Sequence, residues 1–283
     1  MAGKPRGGRS QSLGRAILLL RLVAANAAHG ARLSDLARRA KLSKPTAHRL
    51  LSALEREGLI HREEDSTSYH LGPETFVLGM LAAERYGIHR TALPALYRLS
   101  AISGDTSFLT VRRDWQSVCL HREEGAFPIR THALKVGDRL PLGIGAGGMA
   151  ILAALSDEEA EAAIDANAAE IATRYPGYSP DVLRRDRELA RQQGFAFNPG
   201  RLTAGSCGVA VAVRDARGEC IGALSVAAIE QRLDTERRQE LAKMLRAEVA
   251  RLESQLARPD GASQTPAPRS EREHGAGMHQ RRT

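Results

Sequence analysis

Apolar side chains recur every three or four positions through most of the first sixty residues, in three stretches separated by short polar breaks. This period predicts three amphipathic helices that share one small core. The first runs from Ser12 to near Gly30, and the second begins after Leu33 with Ser34 as its N-cap. The positions expected to face the core are Leu13, Ala16, Ile17, Leu20, Val23, Ala24 and Ala27, then Leu36, Ala37 and Ala40, then Ala47, Leu50, Leu51 and Leu54.

The third helix has the clearest end signals. Ser43 is its N-cap, Pro45 lies in the first turn, where a missing N–H costs nothing, and Gly58 ends it. The side opposite to its buried row is polar and cationic. Two short helices joined by a tight turn, the second with such a face near its N-terminus, have the geometry that enters a DNA major groove.

Two sets of side chains are the candidate DNA contacts. On the third helix they are Ser43, Lys44, Pro45, Thr46, His48, Arg49 and Ser52. Before it come Arg32, Arg38, Arg39 and Lys41, which we expect to contact phosphates, because such contacts tolerate flexible side chains. The alternative for His48 and Arg49 is a solvated surface or an intrahelical ion pair with Glu55 or Glu57.

Alternating segments follow the third helix. Residues 59–64 and 68–72 read as short strands around a turn at 65–67, with Tyr69 and Leu71 on one face of the second strand. They predict a β-hairpin of the kind called a wing. With the three helices, this hairpin indicates a winged helix-turn-helix domain over residues 11–73.

The charge is concentrated in the same region. The chain of 283 residues has a formal net charge of +8, but residues 1–62 alone carry 13 Lys and Arg against three acids, a net +10. Residues 91–258 carry 22 charges of each sign. A cationic module favours polyanion binding, because Lys and Arg displace counterions condensed on phosphates; the alternative is a merely solubilising surface.

The ends of the chain predict little structure. Residues 1–10 form a Gly/Arg-rich basic tail without the apolar centre of a secretion signal, and residues 259–283 are too poor in apolar groups to offset the entropy of ordering. We expect both tails to be disordered. Since no apolar run approaches the roughly 20 residues of a membrane span, we expect a cytoplasmic protein with no membrane partner.

Residues 74–100 read as a linker helix that is apolar on much of its circumference, with a break around Gly87 and a resumption before Pro94. Such a helix needs a partner surface. A symmetric dimer would suit a duplex with paired half-sites. The alternative is packing within its own chain.

Residues 101–258 mix strands and helices without strict alternation, which favours an α+β domain over a doubly wound one. The strands are expected over 106–112, 117–122, 209–213 and 220–226, and the helices over about 147–155, 157–168 and 180–193. Leu241, Leu245, Val249, Leu252 and Leu256 predict a closing amphipathic helix that packs on the sheet.

The segment GIGAGG at residues 143–148 satisfies G-x-G-x-x-G, the pattern of a dinucleotide loop. Its context is wrong, since no buried strand precedes it and no second strand with an acidic residue follows. Glycines still allow the backbone to approach another group closely, and a following helix would present unpaired N–H groups. A carboxylate effector would fit there.

Catalytic and metal patterns are weak. Cys119 and His121 could share one face of a strand, but no third partner is visible, and the residues around Ser206 do not form G-x-S-x-G. Three cysteines and nine scattered histidines show neither disulfide nor zinc spacing. We therefore expect no catalytic residue, no metal and no cofactor.

Several runs resemble the IclR-type bacterial transcriptional regulators, and together they cover about residues 11–257. They are QSLGRAILLL, LSDLARRAKLSKPTAHRLLSALEREGLI and YHLG in the first domain, and GDRLPLGIGAGGMAILAALSDEE, RQQGFAFN and GVAVAVRDARGECIGALSVAA in the second. The resemblance implies a winged helix domain, a linker helix that pairs in a dimer, and a GAF-like effector-binding domain with a curved antiparallel sheet.

The resemblance also implies an effector pocket lined by Ala146, Gly147, Gly148, Asn198, Ser206 and Cys207. For Cys207 a plain packing role is the alternative. The chain departs from the family at Gly143, where a His is common, and at Met149, where a Lys is common. These departures indicate a smaller and less polar entrance to the effector pocket.

The sequence thus predicts a repressor or activator, a homodimer or dimer of dimers, that binds operator DNA and responds to a small carboxylate or aromatic catabolite. One alternative is a DNA-binding dimeric protein with a ligand-free second domain. A less favoured one is a sensor-fused enzyme with a triad around Cys119 or Ser206.

Overall fold

The computed structural model describes residues 11–27, 29–63, 66–85, 88–129 and 133–257. The two tails expected at residues 1–10 and 259–283 lie outside these ranges. The described chain forms an N-terminal helical domain with a small sheet and a C-terminal domain around a larger one.

The N-terminal domain is a winged helix-turn-helix, as the sequence predicts. Its elements are α1 (Gln11–Ala24), β1 (Ala31–Arg32), α2 (Leu33–Arg39), α3 (Lys44–Arg56), β2 (Ile60–Arg62) and β3 (Ser68–Leu71). The strands form an antiparallel sheet in the order β1-β3-β2, so β2 and β3 are the expected wing.

Two boundaries differ from the prediction. The first helix ends at Ala24 rather than near Gly30, because the chain must turn and extend at Ala31–Arg32 to pair with β3. The second helix starts at Leu33, with the extended Arg32 at its N-cap, so Ser34 lies inside the helix instead of capping it.

The small core contains the row predicted on α3, namely Ala47, Leu50, Leu51 and Leu54. On α1 the buried side chains are Leu19 and Val23, whereas Leu13 is 63% exposed. The prediction for Leu13 is wrong, because the inward face of α1 is rotated toward Leu19, and the first turn lies at the edge of that face.

The linker stretch is two helices that pack differently. Helix α4 (Pro73–Arg85) exposes large apolar side chains, including Phe76, which is 71% exposed. Helix α5 (Ile88–Ser103) instead buries Ala92, Leu96 and Leu99 against the C-terminal sheet. Among the described residues, the connection between the domains is therefore α4, and α5 belongs to the C-terminal domain.

The C-terminal domain has a fully antiparallel six-stranded sheet, which confirms the α+β class. Its strands are β4 (Thr106–Arg113), β5 (Gln116–Glu123), β6 (Arg139–Pro141), β7 (Ala196–Thr203), β8 (Ser206–Arg214) and β9 (Cys220–Ile229), in the order β6-β5-β4-β9-β8-β7. The edge strands β6 and β7 were not predicted, because one is three residues long and the other contains Pro199 and Gly200.

Helices cover both faces of this sheet. Helices α5 and α9 (Thr235–Leu256) share a core on one face, and α9 packs there through Leu241, Leu245 and Leu252, as expected. The second core, on the other face, contains α6 (Gly145–Ala154), α7 (Asp157–Arg174) and α8 (Pro180–Gln193).

Candidate functional sites

The turn between α2 and α3 is fixed by backbone hydrogen bonds. The Leu42 N–H donates to the Ala37 carbonyl at 2.9 Å, and the Lys41 N–H donates to the Arg38 carbonyl at 3.1 Å. These two bonds form a Schellman motif, which places Lys41 in the left-handed region at φ 54°. Lys41 thus sets the angle at which α3 leaves α2.

The N-terminus of α3 is capped by its own side chains. The Ser43 hydroxyl accepts a hydrogen bond from the Thr46 N–H at 3.4 Å and lies 2.9 Å from the Thr46 hydroxyl. Both hydroxyls are therefore engaged in the cap before any ligand is present. Among the predicted contacts on α3, the exposed residues are Ser43, Lys44, Pro45, His48 and Arg49, and Thr46 and Ser52 are half-buried.

The ion pair considered for His48 and Arg49 is not formed. Glu55 instead accepts a hydrogen bond from the Arg62 N–H at 3.2 Å and so ties α3 to the wing. In the part of the chain that the structure describes, no carboxylate lies within salt-bridge distance of His48 or Arg49. Both side chains face solvent on the outer side of α3.

The predicted phosphate contacts lie beside α2. Arg32, Arg38 and Arg39 line a polar cleft of ≈480 Å³ with Asn26 and His29. Arg38 forms an ion pair with Asp35 at 2.8 Å, but both side chains are exposed, so water screens the pair strongly. The cleft can therefore offer guanidinium groups to a phosphate.

The second candidate site lies in the C-terminal domain, at helix α6. This helix is apolar and buried along most of its length. The eight residues from Gly145 to Leu152 are all buried. It begins in the glycine segment, where Gly143 and Gly145 have φ values of 93° and 72°. Ile144 stands at the N-cap and supplies no side-chain hydrogen bond.

Tyr178 caps α6 from outside. Its hydroxyl accepts a hydrogen bond from the Gly145 N–H at 3.2 Å and donates to Asn198 Oδ1 at 3.1 Å. Asn198 Oδ1 also accepts from the Arg201 N–H at 3.3 Å. Burial raises the pKa of the Tyr178 hydroxyl, which therefore remains a donor at neutral pH. The next N–H groups of α6, at Ala146 and Gly147, have no partner within the helix.

A cavity of ≈30 Å³ lies at this helix end. Five of the six predicted pocket residues line it, namely Ala146, Gly147, Asn198, Ser206 and Cys207. Apolar side chains complete the lining, among them Phe108, Leu134, Leu202 and Val226. A volume of this size holds about two water molecules, so an organic ligand requires the cavity to widen.

Gly148 does not join the pocket. A Cβ atom built there would lie 3.2 Å from Ser117 Oγ, on the side of β5. Consecutive helical residues point about 100° apart, so Ala146, Gly147 and Gly148 cannot all face one cavity. At Gly147 a Cβ atom would come within 2.9 Å of Thr110 Oγ1, so this glycine also allows α6 to approach β4 closely.

The opposite end of α6 is held by three arginines that the sequence analysis did not identify. Arg187 donates to the Leu152 and Leu155 carbonyls at 3.3 and 3.1 Å. Arg191 donates to the carbonyls of residues 153 and 155, and Arg214 to that of residue 154. These contacts join residues 32 to 60 positions apart, so no local sequence pattern predicts them.

The Cys119 thiol is buried. Burial, helped by Asp138, raises the pKa of its thiol to about 12, so the thiol stays protonated at neutral pH. His121 turns its ring toward His89, at 3.2 Å between ring nitrogens, and toward Glu123 at 3.3 Å. Cys119 and His121 therefore do not form a catalytic pair.

Metal-binding clusters and membrane-spanning helices are both absent from the described ranges. No group of three or more His, Cys, Asp or Glu side chains there could hold a metal ion. None of the helices in the same ranges has the length and apolar character to cross a membrane.

Family models match most of the chain. The IclR helix-turn-helix domain matches residues 12–64, and the bacterial transcriptional regulator IclR C-terminal domain matches residues 80–253. The acetate operon repressor of Salmonella typhimurium is 27% identical over 243 residues, which are 85% of this chain and 88% of the repressor. The transcriptional repressor IclR of Escherichia coli is 26% identical, over 87% and 89% of the two chains.

Solved structures agree in fold. An IclR-type transcriptional regulator from Silicibacter superposes with a TM-score of 0.71 at 25% identity, over 87% of this chain and 96% of its own. An IclR homolog from Microbacterium hydrocarbonoxydans, complexed with 4-hydroxybenzoate, gives a TM-score of 0.70 at 25% identity, over 87% and 98% of the two chains.

Proposed function

The chain belongs to the IclR family of bacterial transcriptional regulators, and from this membership we propose how it acts. Helix α3 reads an operator in the major groove, and the arginines beside α2 hold the DNA backbone. A small anion at the N-terminus of α6 changes the affinity for the operator. The protein performs no catalytic step of its own.

The exposed cations of α3 and α2 support the first part. Arg49 and His48 face solvent from the first two turns of α3, where a recognition helix meets base edges. Arg32 and Arg39 line the cleft beside α2, where flexible guanidinium groups could reach the phosphates. The observation that carries the assignment is this cationic face on a helix-turn-helix that the family model matches.

Arg49→Ala tests the recognition helix. We expect specific operator binding to weaken by about 1–3 kcal/mol, with little change on unrelated DNA, because a base-edge contact is lost. The matched control is Arg56→Ala, which removes the same charge from the last turn of the same helix. Mobility shifts at fixed salt, on the region upstream of the protein's own gene, measure both. Equal losses for the two variants would contradict the assignment.

We also propose a homodimer, or a dimer of dimers. The apolar surface of α4 supports it, since Phe76, Leu78, Met80 and Leu81 are each at least half exposed. A second α4 would cover this surface. Twofold symmetry would then place two copies of α3 on the paired half-sites of an operator.

Electrostatics at α6 support an anionic effector. The helix dipole places partial positive charge at its N-terminus, and the two N–H groups without helical partners point outward there. At the other end, guanidinium groups already balance the negative pole. The aromatic ring of a ligand would pack on Phe108 and Leu202, which suits a small aromatic carboxylate of the kind bound by the Microbacterium homolog.

The size of the cavity favours one alternative, a C-terminal domain that only dimerises. At ≈30 Å³ the cavity has no room for an organic acid without movement of its lining. The two functions differ in whether an anion at α6 affects DNA binding, and one isosteric substitution separates them.

Asn198→Asp is that substitution. The carboxylate would still accept hydrogen bonds from Tyr178 and Arg201, and its charge suits a helix N-terminus, so we expect an unchanged or higher melting temperature. The same charge would repel an anionic effector and lower its affinity about tenfold or more. The measurement is the change in operator affinity that 4-hydroxybenzoate and related acids cause. An effector response equal to that of the unmodified protein would refute the anion site.

A further inference from the structure

A cleft with a partly apolar lining lies elsewhere in the C-terminal domain. A cleft of ≈340 Å³ opens beside the edge strand β7, between α8 on one face of the sheet and the start of α9 on the other. Cavities that bind small organic molecules usually measure about 300–1,000 Å³. We propose that this cleft is a second ligand site, which binds a small aromatic carboxylate and is separate from the cavity at α6.

Apolar side chains form one wall of the cleft. Phe195, Phe197, Pro199 and Leu189 contribute to it. Leu189 is 44% exposed, although the other exposed side chains of α8 are mainly charged or amide groups. A large aliphatic group left open inside a concave surface gains free energy when an apolar ligand covers it. This wall suits a flat hydrocarbon ring.

Arg238 supplies the polar end. Its guanidinium carbon lies 3.9 Å from the ring centroid of Phe197, and its Nε donates to the Leu233 carbonyl at 2.9 Å. These two contacts hold the group in place at the side of the cleft. No carboxylate of the described chain pairs with Arg238. A fixed guanidinium with its terminal nitrogens available is suited to a bidentate carboxylate.

The charges of the lining agree with an anion. Asp186 is already bound by Arg201, so its carboxylate does not neutralise Arg238. Two guanidinium groups against one carboxylate leave the lining with a net +1, and Gln193 and Gln239 add uncharged donors. The cleft thus combines a fixed cation with an apolar wall, which is the chemistry of an aromatic carboxylate.

Fluorine NMR of 4-fluorobenzoate with the full-length protein tests this site. We expect saturable binding that Arg238→Gln weakens about tenfold or more, since a charge-assisted pair is lost. Leu189→Glu, at an exposed position that the fold tolerates, should weaken it similarly by adding a negative charge to the wall. The matched control is Lys243→Gln, which removes an exposed charge from the same helix outside the cleft and should change the affinity less than twofold.

The two sites are told apart with Asn198→Asp, which weakens anion binding at α6 and should leave binding in the cleft intact. Retention of fluorobenzoate binding when Arg238→Gln and Leu189→Glu are each combined with Asn198→Asp would overturn the proposal. So would equal binding of the uncharged 4-fluorobenzamide. A shift in oligomeric state on sedimentation of Arg238→Gln, with fluorobenzoate affinity unchanged, would show instead that a second copy of the chain covers the cleft.

Discussion

Helices α3 and α6 are of similar length and lie next to the two proposed ligands, yet they are built in opposite ways. Helix α3 buries one row of side chains, caps itself with Ser43 and turns its cations outward. Helix α6 is apolar on all sides and takes its hydrogen bonds at both ends from other elements. In the proposed function, side chains of α3 contact a large external polyanion, whereas backbone N–H groups of α6 contact a small enclosed anion.

The largest effect should come from separating α6 from its arginines. Arg187 is buried and donates to two carbonyls and to Asp157, so Arg187→Met should lower the free energy of unfolding by about 3 kcal/mol. The control is Arg185→Met on the exposed side of α8, where we expect less than about 0.5 kcal/mol. Chemical denaturation measures both. If Arg187→Met lowered the free energy of unfolding as little as Arg185→Met does, water would be satisfying the carbonyls.

The next effect concerns how closely each helix approaches its neighbour. Gly147→Ala should destabilise the protein by about 1–3 kcal/mol, because the new methyl group meets Thr110. Thr110→Ala in the same chain should recover part of that loss, and a double-mutant cycle measures the coupling. Independent losses at Gly147 and Thr110 would disprove the contact.

In α1, Gly14 has nothing within 4 Å, so Gly14→Ala should stabilise the helix by about 0.5–1 kcal/mol.

The smallest effect separates stability from DNA binding at the turn before α3. Lys41→Gly relieves a left-handed conformation and should raise the free energy of unfolding by about 0.5 kcal/mol. It also removes an expected phosphate contact, so DNA binding should weaken equally on all sequences, with the salt slope lower by about 1. Lys41→Asn is the control, since Asn tolerates the same conformation. A fall in melting temperature for Lys41→Gly would exclude strain at this turn.

The same comparison shows which parts of the molecule its sequence could predict. The ends and buried row of α3 followed from a Ser cap, an early Pro and a 3.6-residue period, all of which are local signals. The partners of α6 are distant in sequence: Tyr178 is 33 positions from Gly145, and Arg214 is 60 positions from Ala154. Side chains that reach an element from so far along the chain leave no periodic trace.

Two differences from the prediction had a local cause. Gly148 was grouped with Ala146 and Gly147, although the rotation from one helical residue to the next points its Cβ position toward Ser117 rather than toward the cavity. The strand β1 was missed because two residues carry no period, and its pairing with β3 shortened the preceding helix. Short edge strands are specified by the partners they meet rather than by their own composition.

The uncovered side of α4 sets a condition on measurements of this protein. In the proposed dimer, the apolar surface that one chain leaves in water is buried when two chains associate, so association and folding would be linked by mass action. Dilution should then lower both the melting temperature and the apparent affinity for an operator, without any change in the sequence. Comparisons among variants consequently belong at one protein concentration.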